Sequence, residues 1–153
     1  GTDAMGGERD PFGVEGHAEA VIEGQDENGL VYSMVACDFT GYTYEYAGEW
    51  LDALGYDLDV EDLHVVGERA WNMARLFNVR EGFDREDDTI PDRVQTPIER
   101  AGPAEGNALT DEEFERMLEE YYELRGWSED GIPTTETLER LGIADMAPEG
   151  TVA

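Results

Sequence analysis

No stretch of this 153-residue chain alternates apolar and polar residues at every second position, as a half-buried strand would. Its apolar residues recur every three or four positions instead, so the expected fold is all-α: an irregular domain of about five helices with one long irregular connection. From His17, the spacing of Ala18, Val21, Ile22, Gln25, Leu30, Met34 and Cys37 predicts a helix, interrupted at Gly24 and Gly29, that ends near Cys37. Tyr46, Trp50 and Leu54 predict a short second helix with Gly55 past its end. Asp59 offers an N-cap to a third, carried by Leu63, Val66, Ala70, Met73 and Phe77. Residues 82–108 contain three prolines and no period, and read as the long connection. Thr110 and Glu113 form a capping box for a fourth helix bearing Phe114, Met117, Leu118, Tyr121 and Leu124 and stopped by Gly126. A short fifth runs from an N-cap at Thr134 to Gly142. Residues 1–15 read as a linker or trimmed end, 16–143 as the helical domain and 144–153 as a tail.

The ten basic residues are all arginine and face thirty-eight acidic ones, a net charge of −28. A field of that sign repels phosphate backbones and anionic lipid heads, which argues against nucleic-acid or membrane-surface binding. No run reaches the roughly 18 apolar residues of a membrane span, the first residues lack a signal peptide, and the expected location is the cytoplasm. With 40% apolar and 10% aromatic residues the chain can form a core rather than stay disordered. An ordered, acid-coated, lysine-free protein fits a saline cytoplasm, because screening shortens to about 3 Å at 1 M salt. The melting temperature is therefore expected to rise between low salt and molar KCl, as circular dichroism would record; an unchanged value would remove the salt-loving reading.

Cys37 is the single cysteine, so it is either a buried core residue or one ligand of a site completed by other polypeptide. An iron–sulfur cluster commonly takes four thiolates, of which this chain could lend one. Glu61 and His64, three apart, match half of a carboxylate di-metal motif, but the only other histidine, His17, has Val14 three residues before it. Asp57, Asp59, Glu61 and Glu68 fall at calcium-loop spacings, yet Asp62 stands where glycine must make the turn. There is no phosphate-cradling glycine loop, no paired-cysteine zinc spacing and no nucleophile with a motif-placed base. No catalytic residue is expected in the chain.

The run GERAWNMARLFNVREGFDREDDTIPDR, followed by EYYELRGWSEDGIPTTETLERLGI, closely resembles the C-terminal helical region of the tungsten-containing aldehyde ferredoxin oxidoreductases. The likeness extends upstream through EGHAEAVIEGQDENGLVYSMVACDF and covers about residues 15–143, the last quarter or so of a family member. The resemblance implies an enzyme that oxidises an aldehyde to a carboxylic acid at tungsten (or molybdenum) held by two pterins. Electrons then pass through a [4Fe–4S] cluster to ferredoxin. In the family a segment Asp-x-x-Gly-Leu-Cys supplies a pterin-binding aspartate and the fourth cluster cysteine. Here it reads Tyr32-Ser33-Met34-Val35-Ala36-Cys37. By resemblance, then, Cys37 is the cluster ligand, while Tyr32 cannot offer the carboxylate, and pterin contact would lean on the backbone around Ala36 and Asp38.

These implications make the chain part of a larger oxidoreductase, inactive and free of cofactor by itself, with the remainder of the enzyme polypeptide and ferredoxin as partners. A face that normally meets that remainder would be left apolar and could drive self-association into a homo-oligomer. The alternative is a stand-alone helical interaction or stabilising module without cofactor, which the change at Tyr32 favours.

Overall fold

The computed structural model describes residues 12–37, 39, 41, 43–100 and 102–147. Among them the fold is all-α, with five α-helices: α1 (His17–Ser33), α2 (Tyr44–Ala53), α3 (Val60–Arg80), α4 (Asp111–Arg125) and α5 (Thr135–Arg140). An isolated bridge between Trp127 and Pro133 is the sole β-type pairing among the described residues. The expected linker falls mostly outside those residues, as does the end of the tail; the start of the tail forms a short 3-10 turn, Ala144–Met146.

Local sequence explains where the helices begin and end. At α3, the Asp59 carboxylate accepts from the Asp62 N–H at 3.0 Å while the Asp62 carboxylate accepts from the Asp59 N–H at 3.1 Å, satisfying two donors that a helix start leaves open. Thr110 and Glu113 do the same for α4, and Gly126, at φ 65°, ends it in the left-handed conformation. The Thr134 hydroxyl caps α5.

The 21-residue α3 is the axis of the domain and meets neighbours on three sides. Gly67, Trp71 and Arg75 lie toward α1 and α4; Val65, Arg69 and Leu76 lie toward α5 and the segment after it. On that second side Leu76, Leu138, Leu141 and Ile143 form one buried cluster, tied by Arg69 donating to the Leu141 carbonyl at 2.6 Å. The third side is covered by α2 only at its start, where Leu30, Ala47 and Leu63 make a second cluster with Met34, Tyr44, Leu51 and Val66 against it.

One predicted apolar stripe therefore faces outward, and a second does so over its last two residues. Tyr46, Trp50 and Leu54 are 53%, 48% and 74% exposed, and α2 buries Ala47 instead. Along α3, Leu63 is fully buried, but Met73 and Phe77 emerge beyond the end of α2. Both helices carry apolar residues on more than one face, and periodicity alone does not say which face meets the core. Residues 81–109 are irregular, as expected, and are pinned by backbone bonds from Gly106 N–H to the Ile98 carbonyl (2.9 Å) and from Leu109 N–H to the Val94 carbonyl (3.1 Å).

Candidate cofactor-facing site

The turn that carries Cys37 is set by the way α1 stops. The Ala36 N–H donates to the Val31 carbonyl and the Val35 N–H to the Tyr32 carbonyl, both at 3.0 Å, the paired bonds of a Schellman motif. That motif needs a left-handed residue between them, and the residue is Val35, at φ 56°. Glycine is usual there because a β-branched side chain in this conformation meets its own backbone. Val35 is also 93% exposed, so little packing within the chain offsets the strain. Val35→Gly is expected to stabilise the chain by about 0.5–1 kcal/mol, read as a rise of roughly 2 °C in melting temperature. A fall would mean that the valine is held by contacts worth more than its strain.

Because α1 ends at Ser33, Cys37 is not on its apolar stripe: it lies beyond the Schellman turn and is exposed. Within this chain the cysteine is therefore not part of the packed core. Ala36 is half-buried, and its N–H is engaged by the Val31 carbonyl. Asp38 lies outside the described residues. Tyr32 is 58% and Phe39 96% exposed, and Met34 anchors the turn against the Leu30–Ala47–Leu63 cluster. Among the described residues no three His, Cys, Asp or Glu side chains come together as a metal site would require. His64 stacks on Tyr44 with ring centroids 3.9 Å apart. Burial, with Asp26, Glu27 and Glu23 nearby, holds the Tyr44 phenol well above the ordinary tyrosine range.

Elsewhere in the domain stand two polar clusters, each built on a buried arginine, that sequence reasoning missed. Arg125, 1% exposed, donates to Asp26 at 2.6 Å and to the Gln25 side chain at 2.8 Å, and Tyr121 donates to the same Gln25 oxygen at 2.7 Å. Burial pushes Asp26 above the usual carboxylate range, and Arg125 draws it only partly back. The second cluster holds Arg75 in a fork on Asp88 (3.0 and 2.7 Å) and on the Gly131 carbonyl (2.7 Å), with Tyr122 donating to Asp88. Between the clusters runs a cavity of about 390 Å³ lined by Gln25, Trp71, Arg75, Tyr121, Tyr122 and Trp127 among others. Its arginine and glutamine are engaged by their neighbours, so these groups tie α1, α3, α4 and the long connection together.

The described residues thus form a helical domain that presents one cysteine at a helix-end turn and commits its buried polar groups to internal ties. Residues 3–143 match the family described as aldehyde ferredoxin oxidoreductase, domains 2 and 3, and the chain belongs to that family. It is 40% identical over 126 residues to the tungsten-containing aldehyde ferredoxin oxidoreductase of Pyrococcus furiosus, covering 80% of this chain and 20% of the relative. The aliphatic sulfonate oxidoreductase, WOR-like subunit, of the same organism is 34% identical over 125 residues, 76% of this chain and 20% of that protein. In fold, the chain also resembles the active site complex BamBC of benzoyl coenzyme A reductase, with a TM-score of 0.73 at 24% identity over 91% of this chain and 21% of that one. The chain thus spans about a fifth of the length of the curated relatives it matches. No helix among the described residues is long and apolar enough to cross a membrane.

Proposed function

We propose that this chain works as the C-terminal helical part of a larger oxidoreductase that converts an aldehyde to its carboxylic acid and hands the electrons to ferredoxin, and that it is inactive alone. Its contribution is one ligand and a rigid wall. Cys37 lends a thiolate to a [4Fe–4S] cluster whose other thiolates stand on polypeptide beyond this chain. Such a cluster, when bound, supplies one-electron transfer. The residues of this chain do the positioning: the paired backbone bonds at Val31 and Tyr32 fix the turn, and Met34 locks it to the core.

The observation that carries this reading is the exposure of Cys37 just past a tightly bonded helix end. A thiolate there can meet an iron from outside, which a thiol on the inward stripe could not. The pterin side fits less well. Tyr32 has no carboxylate and the Ala36 N–H is already engaged, so we assign the tungsten or molybdenum bis-pterin no contact from Tyr32. Any pterin contact is assigned, as the resemblance implies, to the backbone around Ala36 and Asp38.

The test is Cys37→Ser and Cys37→Ala in the longer polypeptide that includes the upstream sequence. Both are expected to lose most iron and acid-labile sulfide, along with the broad visible absorbance of the cluster. Full iron content in both variants would reject the ligand role. A second reading, a helical module without cofactor, draws on Tyr32 standing in place of the aspartate; it requires that the unmodified longer polypeptide purify without iron.

A further inference from the structure

We infer that the cavity between the two polar clusters is a binding site for a small organic cation, an ammonium carried on an apolar body. Such a site is independent of the cluster role of Cys37. At about 390 Å³ the cavity falls in the size range of small-molecule sites, and it is walled by α1 (Val21), α3 (Trp71, Ala74), the long connection (Asp88) and α4 (Phe114, Leu118).

The walls are rich in aromatic rings, and several of these rings already hold cations. Three of the ten arginines stand over them: Arg75 lies 5.2 Å from the Trp127 ring and 6.0 Å from that of Tyr122, Arg85 5.5 Å from Tyr122, and Arg125 5.6 Å from Tyr121. No described arginine stands over Trp71 or Phe114, so these two rings of the lining have no internal cation. Arg75 does not repel a cationic ligand, because its charge is met within the wall by the fork on Asp88.

The charge outside points the same way. A neighbouring hollow of about 440 Å³ shares Asp88, Thr89 and Phe114 with the cavity and is edged by Asp84, Glu86, Glu115 and Asp130. Arg85, which also lines it, is paired with Glu115, while no described arginine pairs with Asp84, Glu86 or Asp130. On a chain of net charge −28, this approach concentrates cations and turns anions away. The apolar body belongs among Trp71, Phe114 and Leu118, with the ammonium toward Asp88, whose side chain is 28% exposed. A lone lysine or arginine side chain from further polypeptide is too slender to fill about 390 Å³, so the occupant is a free amine.

Saturation-transfer NMR on the 153-residue chain and on the longer polypeptide tests the site, with benzylamine, benzyl alcohol and benzoate as probes of similar shape and different charge. Benzylamine is expected to bind with a dissociation constant on the order of 1 mM, benzyl alcohol several-fold more weakly and benzoate not at all. Ala74→Leu, which fills the cavity from an exposed helix position, is expected to abolish the benzylamine signal in both proteins at an unchanged melting temperature. Glu86→Gln together with Asp130→Asn, both exposed, is expected to weaken benzylamine about five-fold at low salt and to leave benzyl alcohol unchanged. Should Ala74→Leu melt lower, the charge pair decides alone. A signal that survives Ala74→Leu, benzyl alcohol bound as tightly as benzylamine, or benzylamine indifferent to the charge pair would overturn the inference. So would binding to the 153-residue chain that the longer polypeptide lacks, which would give the cavity to a segment of that polypeptide.

Discussion

Arg125→Ala is expected to destabilise the chain by about 3–5 kcal/mol at pH 7, because it leaves the Asp26 carboxylate buried without its cation. Arg125 is 1% and Asp26 7% exposed, so solvent cannot step in. The loss reaches beyond one pair, since the same guanidinium holds Gln25, which in turn receives the Tyr121 hydroxyl and joins α1 to α4. The effect should depend on pH in a definite direction. Burial already raises Asp26 above 3.8, and Arg125 is the main influence lowering it, so the variant raises it further. A carboxyl whose folded value is raised favours the folded state below its unfolded value, and that contribution is lost as pH climbs through the folded value. The deficit of the variant relative to the parent is therefore largest above the raised value and shrinks as pH falls through it toward 3.8, where Asp26 carries a proton and needs no cation. Urea unfolding of both proteins across that range reads the difference. A deficit that stays constant on acidification would show that Arg125 acts through packing alone. Arg75→Ala should cost less, because its partner Asp88 is 28% exposed and water can replace the fork.

What the sequence discloses about this fold is what short-range bonds determine. Asp59, Thr110 and Thr134 were legible as helix starts, and Gly126 as a stop, because each acts through a bond to residues within a few positions. Which side of a helix faces the core is a long-range matter. Tyr46, Trp50 and Leu54 formed the cleaner stripe on α2, yet the inward side is the one bearing Ala47, chosen by the fit against Leu30 and Leu63. On α3 the buried set includes Asn72 and Arg75, polar residues that a hydropathy reading sends to the surface; their partners, Trp127, Asp88 and Gly131, come from segments far along the chain. The candidate site shows the same division. Apolar spacing carried the first helix on to Cys37, because the glycine that would have signalled its end is Val35. Alignment with the family segment, where that position is glycine, held the missing signal.

Gly67→Ala makes the sharpest test of that long-range packing, because helix propensity and tertiary contact predict opposite signs. In the middle of α3, alanine should be favoured over glycine by about 1 kcal/mol. A Cβ at Gly67, however, would lie 2.0 Å from the Asp26 carbonyl oxygen and 2.6 Å from its carbon, and both atoms belong to the backbone of α1. The reciprocal position is also crowded, though less so, with a Cβ at Gly29 lying 2.8 Å from the Gly67 oxygen. No side chain can swing away, so α1 must retreat by about 1.4 Å to restore ordinary contact. Asp26 sits at that crossing, and moving it also stretches its bond to Arg125. Overpacking of this kind costs about 1–3 kcal/mol by itself, and strain in the buried pair adds to it, so a net loss of about 3 kcal/mol is expected. Gly48→Ala supplies the contrast. It too lies inside a helix, but its Cβ would find only the end of the Leu63 side chain, at 3.7 Å. That substitution should be neutral or stabilising by up to about 1 kcal/mol. Denaturant unfolding of the two variants beside the parent decides the matter: equal effects would mean that α1 and α3 do not approach backbone to backbone, and the buried network built across their crossing would have to be redrawn.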